Sequence, residues 1–337
     1  MQPIVIGHRG ASGYRPEHTG SAYELAFALG ADSVEPDIVA TRDGVLVVRH
    51  ENEISGTTDV AGRTEFAGLR TTKLVDNTEL TGWFTEDFTW AELSTLRARE
   101  RLPEVRQHSA SFDGRFPILR LRDVFELIDR ASDDAKRPFG LVAEIKHATY
   151  FESIGLPLDE LFSAEVNEAG WNEGDGRLTI ESFEPTVLEK VRASGIRGKQ
   201  ILLIEARGKP FDQVSSRGAK APHYSDYLTE AGLYRLSGLV DGVSVDKSLI
   251  LETDADGNVV GASGLVDDAH STGLEIYCWT LRPENRFLAK SFRRGHLKAS
   301  WGDWQGEFGT IMGTGIDGVF ADHPDLAVMV QGEPVRD

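Results

Sequence analysis

Short aliphatic and β-branched runs alternate along this chain with stretches whose apolar residues recur every three or four positions. The runs fall at 3–7, 33–39, 45–50, 140–146, 177–182, 200–204, 241–246, 274–280 and 316–321. Helical spacing covers 19–30, stopped by Gly30, then 119–131, 158–169 and 185–195, where Pro185 suits a first helical position. This alternation predicts an α/β fold with a parallel sheet and helices outside it. A length of 337 residues accommodates one α/β barrel with insertions. Nine runs compete for eight barrel places, and 200–204 or 241–246 is expected to be the surplus one. The connection Thr41–Gly44 is too short for a crossover helix, so 33–39 and 45–50 are both parallel staves only if the chain returns in extended form.

The chemistry-bearing residues collect at the ends of these runs. Glu35 and Asp37 stand two apart on an extended segment, so they project to one side as a pair of hard oxygen donors suited to Mg²⁺ or Ca²⁺. Glu144 and Lys146 repeat the spacing on another run. His8 and His50 are the residue type that moves protons near neutral pH, and Arg9 can fork onto phosphate oxygens. Ser182, Phe183, Trp279, Thr280 and Asp322 end later runs, with Asp322 expected to be structural. Barrel active sites are built at that face. Two long excursions break the rhythm. Residues 51–117 follow His50 directly and are expected to form an inserted cap within a single 1–337 domain. Residues 281–315 carry Arg293, Arg294, His296 and Lys298, read as a solvated patch.

Composition narrows the partners. A formal net charge of −18 argues against nucleic acid or an anionic membrane surface, and no apolar run approaches the ~18 residues of a membrane span. The same acidity requires any phosphate site to reverse the sign locally, as Arg9, Lys146 and a bound cation would do. Cys278 is the single cysteine and lies in an apolar run, which makes a buried structural thiol the expectation. The first run starts at residue 3, leaving no room for a leader, so the expected compartment is the cytoplasm for a complete chain and the periplasm or exterior for a trimmed one.

Six ordered motifs resemble those of the glycerophosphodiester phosphodiesterases. They are HRGASGYRPEHT, VEPDIVATRDGVLVVRHE, Ala-Glu-Ile-Lys146, Glu-Ser-Phe183, Tyr-Cys-Trp-Thr280 and Asp-Gly-Val-Phe-Ala-Asp-His-Pro324. The segment after His50 resembles the bacterial branch with an inserted subdomain. The resemblance implies a distorted TIM barrel, one divalent cation, Ca²⁺ or Mg²⁺, and hydrolysis of glycerophosphodiesters to glycerol 3-phosphate and an alcohol. It implies Glu35, Asp37 and Glu144 as metal ligands and His8 and His50 as general acid and base. Arg9 and Lys146 would grip the phosphoryl oxygens, Glu17 would sit near the metal, and Phe183 and Trp279 would wall the glycerol. His18, Glu51 and Ala321 depart from the family pattern, and these departures are expected to touch the loop cap and pocket edge only. Competing readings are phospholipase D-type cleavage of lysophospholipids and a non-catalytic anion-binding barrel.

Overall fold

The computed structural model describes residues 2–332. Its strands are β1 Ile4–His8, β2 Ser33–Glu35, β3 Asp37–Ala40, β4 Leu46–Val48, β5 Thr71–Val75, β6 Thr78–Gly82, β7 Gly140–Ile145, β8 Leu178–Ser182, β9 Lys199–Ile204, β10 Gly242–Asp246, β11 Leu251–Thr253, β12 Val259–Ala262, β13 Glu275–Leu281 and β14 Gly318–Ala321. The large sheet runs β2-β1-β14-β13-β10-β9-β8-β7-β3-β4, and β2 also pairs with β7. That extra pairing closes the sheet. β2 and β3 form one stave interrupted at Pro36, whose missing N–H cannot enter the ladder. All eight staves run parallel, so the molecule is a TIM barrel.

The surplus run is not where the sequence placed it. Both 200–204 and 241–246 are staves, β9 and β10, while 45–50 supplies β4, which lies antiparallel to β3 with Ile38 opposite Val48. Four residues at Thr41–Gly44 make a tight reversal, and a reversal this short leaves only the antiparallel pairing open. His50 therefore reaches the barrel mouth from above, on a returning leg, rather than from the C-terminal end of a stave. The hydrogen bond from the Arg49 N–H to the Asp37 carbonyl, 2.9 Å, fixes the depth of that return.

Helices follow the expected pattern closely. Gly20–Ala28 is capped by the Thr19 hydroxyl, which accepts from the Ala22 N–H, and Pro185–Ala193 carries Pro185 at its first position. Leu121–Ala135 and Leu158–Glu168 complete the four that spacing predicts. Their apolar faces and the outer faces of the staves make one large core. A second, smaller cluster of Ile6, Val142, Ile201, Tyr277 and Phe320 fills the barrel interior. Because side chains alternate, His8, Glu144, Trp279 and Asp322, each two residues further on, project the same way as Ile6, Val142, Tyr277 and Phe320. The interior plug is thus the floor of the site.

The glycines of the first motif have a packing reason. A Cβ on Gly13 would lie 2.1 Å from Cε1 of His323, and one on Gly10, at φ +83°, would meet the Ala22 backbone at 2.6 Å. No side chain fits at either position. The segment 51–117 is irregular apart from short helical turns and the β5–β6 hairpin. No helix among the described residues is long and apolar enough to cross a membrane.

Candidate active site

A cavity of about 850 Å³ opens at the mouth of the barrel, bordered by His8, Arg9, Glu35, His50, Glu144, Lys146, Phe183 and Trp279. Eight of the ten expected site residues therefore share one space. Asp37 and Glu17 are not among the residues bordering it; they stand just behind it, in contact with Arg9. Phe183 and Trp279 meet edge to face at 5.7 Å between ring centres. Aromatic walls of this kind offer apolar area to a small polyol.

Each histidine is backed by a carboxylate. His8 Nδ1 lies 2.6 Å from Asp322 Oδ1, and His50 Nδ1 lies 2.6 Å from Glu51 Oε1. With Nδ1 so engaged, Nε2 is the nitrogen left for exchange with a ligand. Asp322, expected to be structural, thus has a direct partner in the site. Glu51 likewise does more than edge the pocket. His18 is the third correction: its Nε2 is 2.8 Å from Asp37 Oδ2 and its Nδ1 2.8 Å from the Tyr23 hydroxyl, so this departure from the family pattern touches the acidic group itself.

Two arginines from the segment 51–117 stand behind these pairs. Arg106 donates to Asp322 Oδ2 at 2.6 Å and to Glu284 at 2.8 Å, and Arg282 also donates to Asp322 Oδ2 at 2.6 Å. Arg101 bridges Glu51 at 2.7 Å and Glu17 at 2.6 Å, and Glu17 in turn accepts from Arg9 at 3.1 Å. Burial alone would raise the Asp322 carboxyl, but Arg282 and Arg106 outweigh it and hold its pKa well below the ordinary value. Sequence gave no sign of Arg101 or Arg106, since they lie in a stretch without periodicity.

The rings themselves are shifted downward. Burial, then Arg9, lowers His8 to about 4, and burial, Arg9 and Lys146 lower His50 to about 3. Both are neutral at pH 7. Burial followed by Arg106 also holds His323 at about 4, below its unfolded value near 6.5. Between those values the unfolded chain binds the extra proton, so the contribution of His323 to stability is complete above pH 6.5 and fades as pH falls toward 4. Compared with His323→Phe, the wild-type unfolding free energy should drop by about 3 kcal/mol between pH 7 and pH 4 in urea titrations. A difference that stays constant with pH would refute the assignment.

The acidic group is larger than the sequence suggested. Glu35, Glu144 and Glu181 each present a carboxylate oxygen within 4.8 Å of the others. Parallel register explains it: Asp37 lies opposite Glu144, Glu144 opposite Glu181, and His8 opposite Glu35. Glu181 is not among the expected ligands, although it is an acid inside the apolar run Leu178–Ser182 just as Glu144 is in Gly140–Ile145. Glu35 Oε1, Asp37 Oδ1, Glu144 Oε1 and Glu181 Oε2 are buried without a hydrogen-bond partner. Lys146 Nζ is 2.6 Å from Glu144 Oε1 and 3.0 Å from Asp37 Oδ1, close enough for charge attraction at angles that make no hydrogen bond. Burial, then Asp37, pushes Glu35 up; burial, opposed by Lys146, raises Glu144 to about 8; burial, then Glu144, raises Glu181. Asp37 goes the other way, because Lys146, His50 and Arg9 outweigh its burial. If all four acids ionise, Arg9 and Lys146 leave two negative charges uncompensated. Buried oxygen donors with that charge deficit fit a divalent cation.

A parallel barrel whose mouth gathers buried acids, two cationic side chains and two carboxylate-backed histidines carries the kinds of group that phosphoryl hydrolysis uses. A sequence profile of the glycerophosphoryl diester phosphodiesterase family matches residues 8–326, and the chain belongs to that family of phosphoric diester hydrolases. It is 29% identical over 334 residues to glycerophosphodiester phosphodiesterase GDPD6 of Arabidopsis thaliana, covering 95% of this chain and 84% of the relative. A crystal structure of a putative glycerophosphoryl diester phosphodiesterase from Silicibacter pomeroyi is similar with a TM-score of 0.68 at 19% identity, over 98% of this chain and 93% of the other. An Oleispira antarctica phosphodiesterase, solved in complex with the product sn-glycerol-3-phosphate, is similar with a TM-score of 0.63 at 20% identity, over 98% of each chain. These two likenesses support the barrel fold.

Proposed function

We propose that the chain hydrolyses glycerophosphodiesters to glycerol 3-phosphate and an alcohol in this cavity, with His8 and His50 exchanging protons and Arg9 and Lys146 binding the phosphoryl oxygens. The observation that carries the reading is that both histidines border the cavity shared by Arg9, Lys146 and the acidic cluster, each with its Nδ1 on a carboxylate. Glu35, Asp37 and Glu144 are the residues that would hold a divalent cation, Ca²⁺ or Mg²⁺. When bound, such an ion polarises a phosphoryl oxygen and stabilises an oxyanion.

The chain's own groups meet the remaining demands. A phosphodiester anion repels nucleophiles, and Arg9 and Lys146 offset that charge. A neutral ring whose Nδ1–H is donated to a carboxylate presents a basic Nε2, which takes the nucleophile's proton. The second ring must carry a proton when the alkoxide leaves. Its lowered pKa describes the site without substrate; an arriving phosphate anion between Arg9 and Lys146 offsets their field and raises the pKa of both rings. Phe183 and Trp279 would pack against the glycerol. The hairpin tip Asp76, Asn77 and Thr78 borders the same cavity, and Asp76 bonds His147, next to Lys146. The segment 51–117 would thus act as the cap over the site, and its arginines would hold both histidine partners in place.

The test is a panel of glycerophosphocholine, glycerophosphoethanolamine, glycerophosphoglycerol and lysophosphatidylcholine, read by coupled detection of glycerol 3-phosphate. Glycerol 3-phosphate is expected from the first three. Its absence from all of them, or turnover of the lysolipid alone, would overturn the proposal.

A further inference from the structure

We propose that Glu181 is a fourth carboxylate ligand of the divalent cation and that it makes this site select calcium over magnesium. The inference rests on the cation site proposed above and adds to it a residue from the next stave of the barrel.

The geometry is a consequence of register. Asp37, Glu144 and Glu181 occupy matched positions on β3, β7 and β8, so the three carboxylates leave adjacent strands at one level. Glu35 comes in from β2, two residues before Asp37, and its Oε2 accepts the Arg9 N–H at 2.9 Å. Among these acids Glu181 has the least to do in the protein itself. It is 2% exposed, and among the described residues its side chain makes no hydrogen bond and no salt bridge; its Oε2 is buried without a partner. Asp37, by contrast, faces His18, Arg9 and Lys146 at 2.8, 3.1 and 3.0 Å, and Glu144 faces Lys146 at 2.6 Å. A buried carboxylate oxygen without a hydrogen-bond partner is costly. Glu181 borders the cavity, with an oxygen within 4.8 Å of oxygens on Glu35 and Glu144. Its oxygen lies in the acidic group that, among the described residues, could hold a metal ion.

The number of carboxylates bears on which ion. Magnesium demands near-ideal octahedral geometry, dehydrates reluctantly and is usually bound through one or two carboxylates. Calcium accepts six to eight oxygens in flexible arrangements and its affinity rises with ligand charge. Glu35, Glu144 and Glu181, converging from three staves with Asp37 in register beside Glu144, suit the larger ion. Removing one of them should weaken calcium more than magnesium.

The measurement is isothermal titration calorimetry of CaCl₂ and MgCl₂ into the cation-free full chain, for the wild type, Glu181→Gln and Glu35→Gln. In the wild type, calcium should bind at least about 10-fold more tightly than magnesium, and Glu181→Gln should weaken calcium by about 10- to 100-fold while leaving magnesium within about 3-fold. Should the amide variant fail to fold, Glu181→Asp keeps the charge with a shorter reach and is expected to show an intermediate loss of calcium affinity. Calcium affinity unchanged in Glu181→Gln overturns the ligand assignment, and an equal loss for both ions overturns the selectivity. If Glu35→Gln also binds calcium like the wild type, the cation site itself is wrong, and the failure belongs to the function proposed above.

Discussion

His8→Ala and His50→Ala are each expected to lower kcat by ~10²–10⁴, the usual contribution of a positioned acid or base, while the circular dichroism spectrum stays that of the wild type. The two losses should differ in a way that assigns the roles. A p-nitrophenolate leaving group needs no proton, so the variant lacking the general acid recovers most of its rate on a glycerophospho-p-nitrophenyl ester. The variant lacking the base does not. Because Asp322 and Glu51 each hold one ring at 2.6 Å, Asp322→Asn should follow the pattern of His8→Ala, and Glu51→Gln that of His50→Ala. Near-wild-type kcat in either alanine variant removes that histidine from the chemistry.

Loss of the cation should be the second large effect. Chelation followed by desalting is expected to abolish turnover, and addition of Ca²⁺ or Mg²⁺ to restore it. The physical reason lies in four buried carboxylate oxygens without hydrogen bonds, which Lys146 and Arg9 only partly neutralise. Burial and mutual repulsion push Glu35, Glu144 and Glu181 above their ordinary pKa values, and a bound cation would offset both effects. Glu35→Gln should mimic chelation and resist rescue at cation concentrations that restore the wild type. Full activity in a preparation shown by elemental analysis to be metal-free would refute the assignment.

The corrections share one cause, the difference between position along a strand and position in space. His50 ends an apolar run, as His8 does, yet it arrives on an antiparallel return rather than a stave. The four-residue connection Thr41–Gly44 excludes a crossover helix, and the antiparallel pairing of β3 with β4 is the alternative the barrel takes. Asp322 and Glu51 looked peripheral because each is only one acid among many, and only the closed barrel brings β14 beside β1 so that Asp322 meets His8. Arg101 and Arg106 are further from legibility still. They act across 84 and 216 residues of sequence, from irregular backbone, on Glu17 and Asp322.

The sequence by itself determined the alternation of strands and helices, the barrel class, the family motifs, and the set of groups from which a phosphodiesterase site is made. Those features are local: two-residue spacing selects a face, and apolar runs select a strand. Tertiary structure alone decided which run left the barrel, which carboxylate backs which histidine, and that Glu181 joins the acidic group. Such choices depend on strand register and barrel closure, which join residues by depth in the barrel and carry no trace in their separation along the chain.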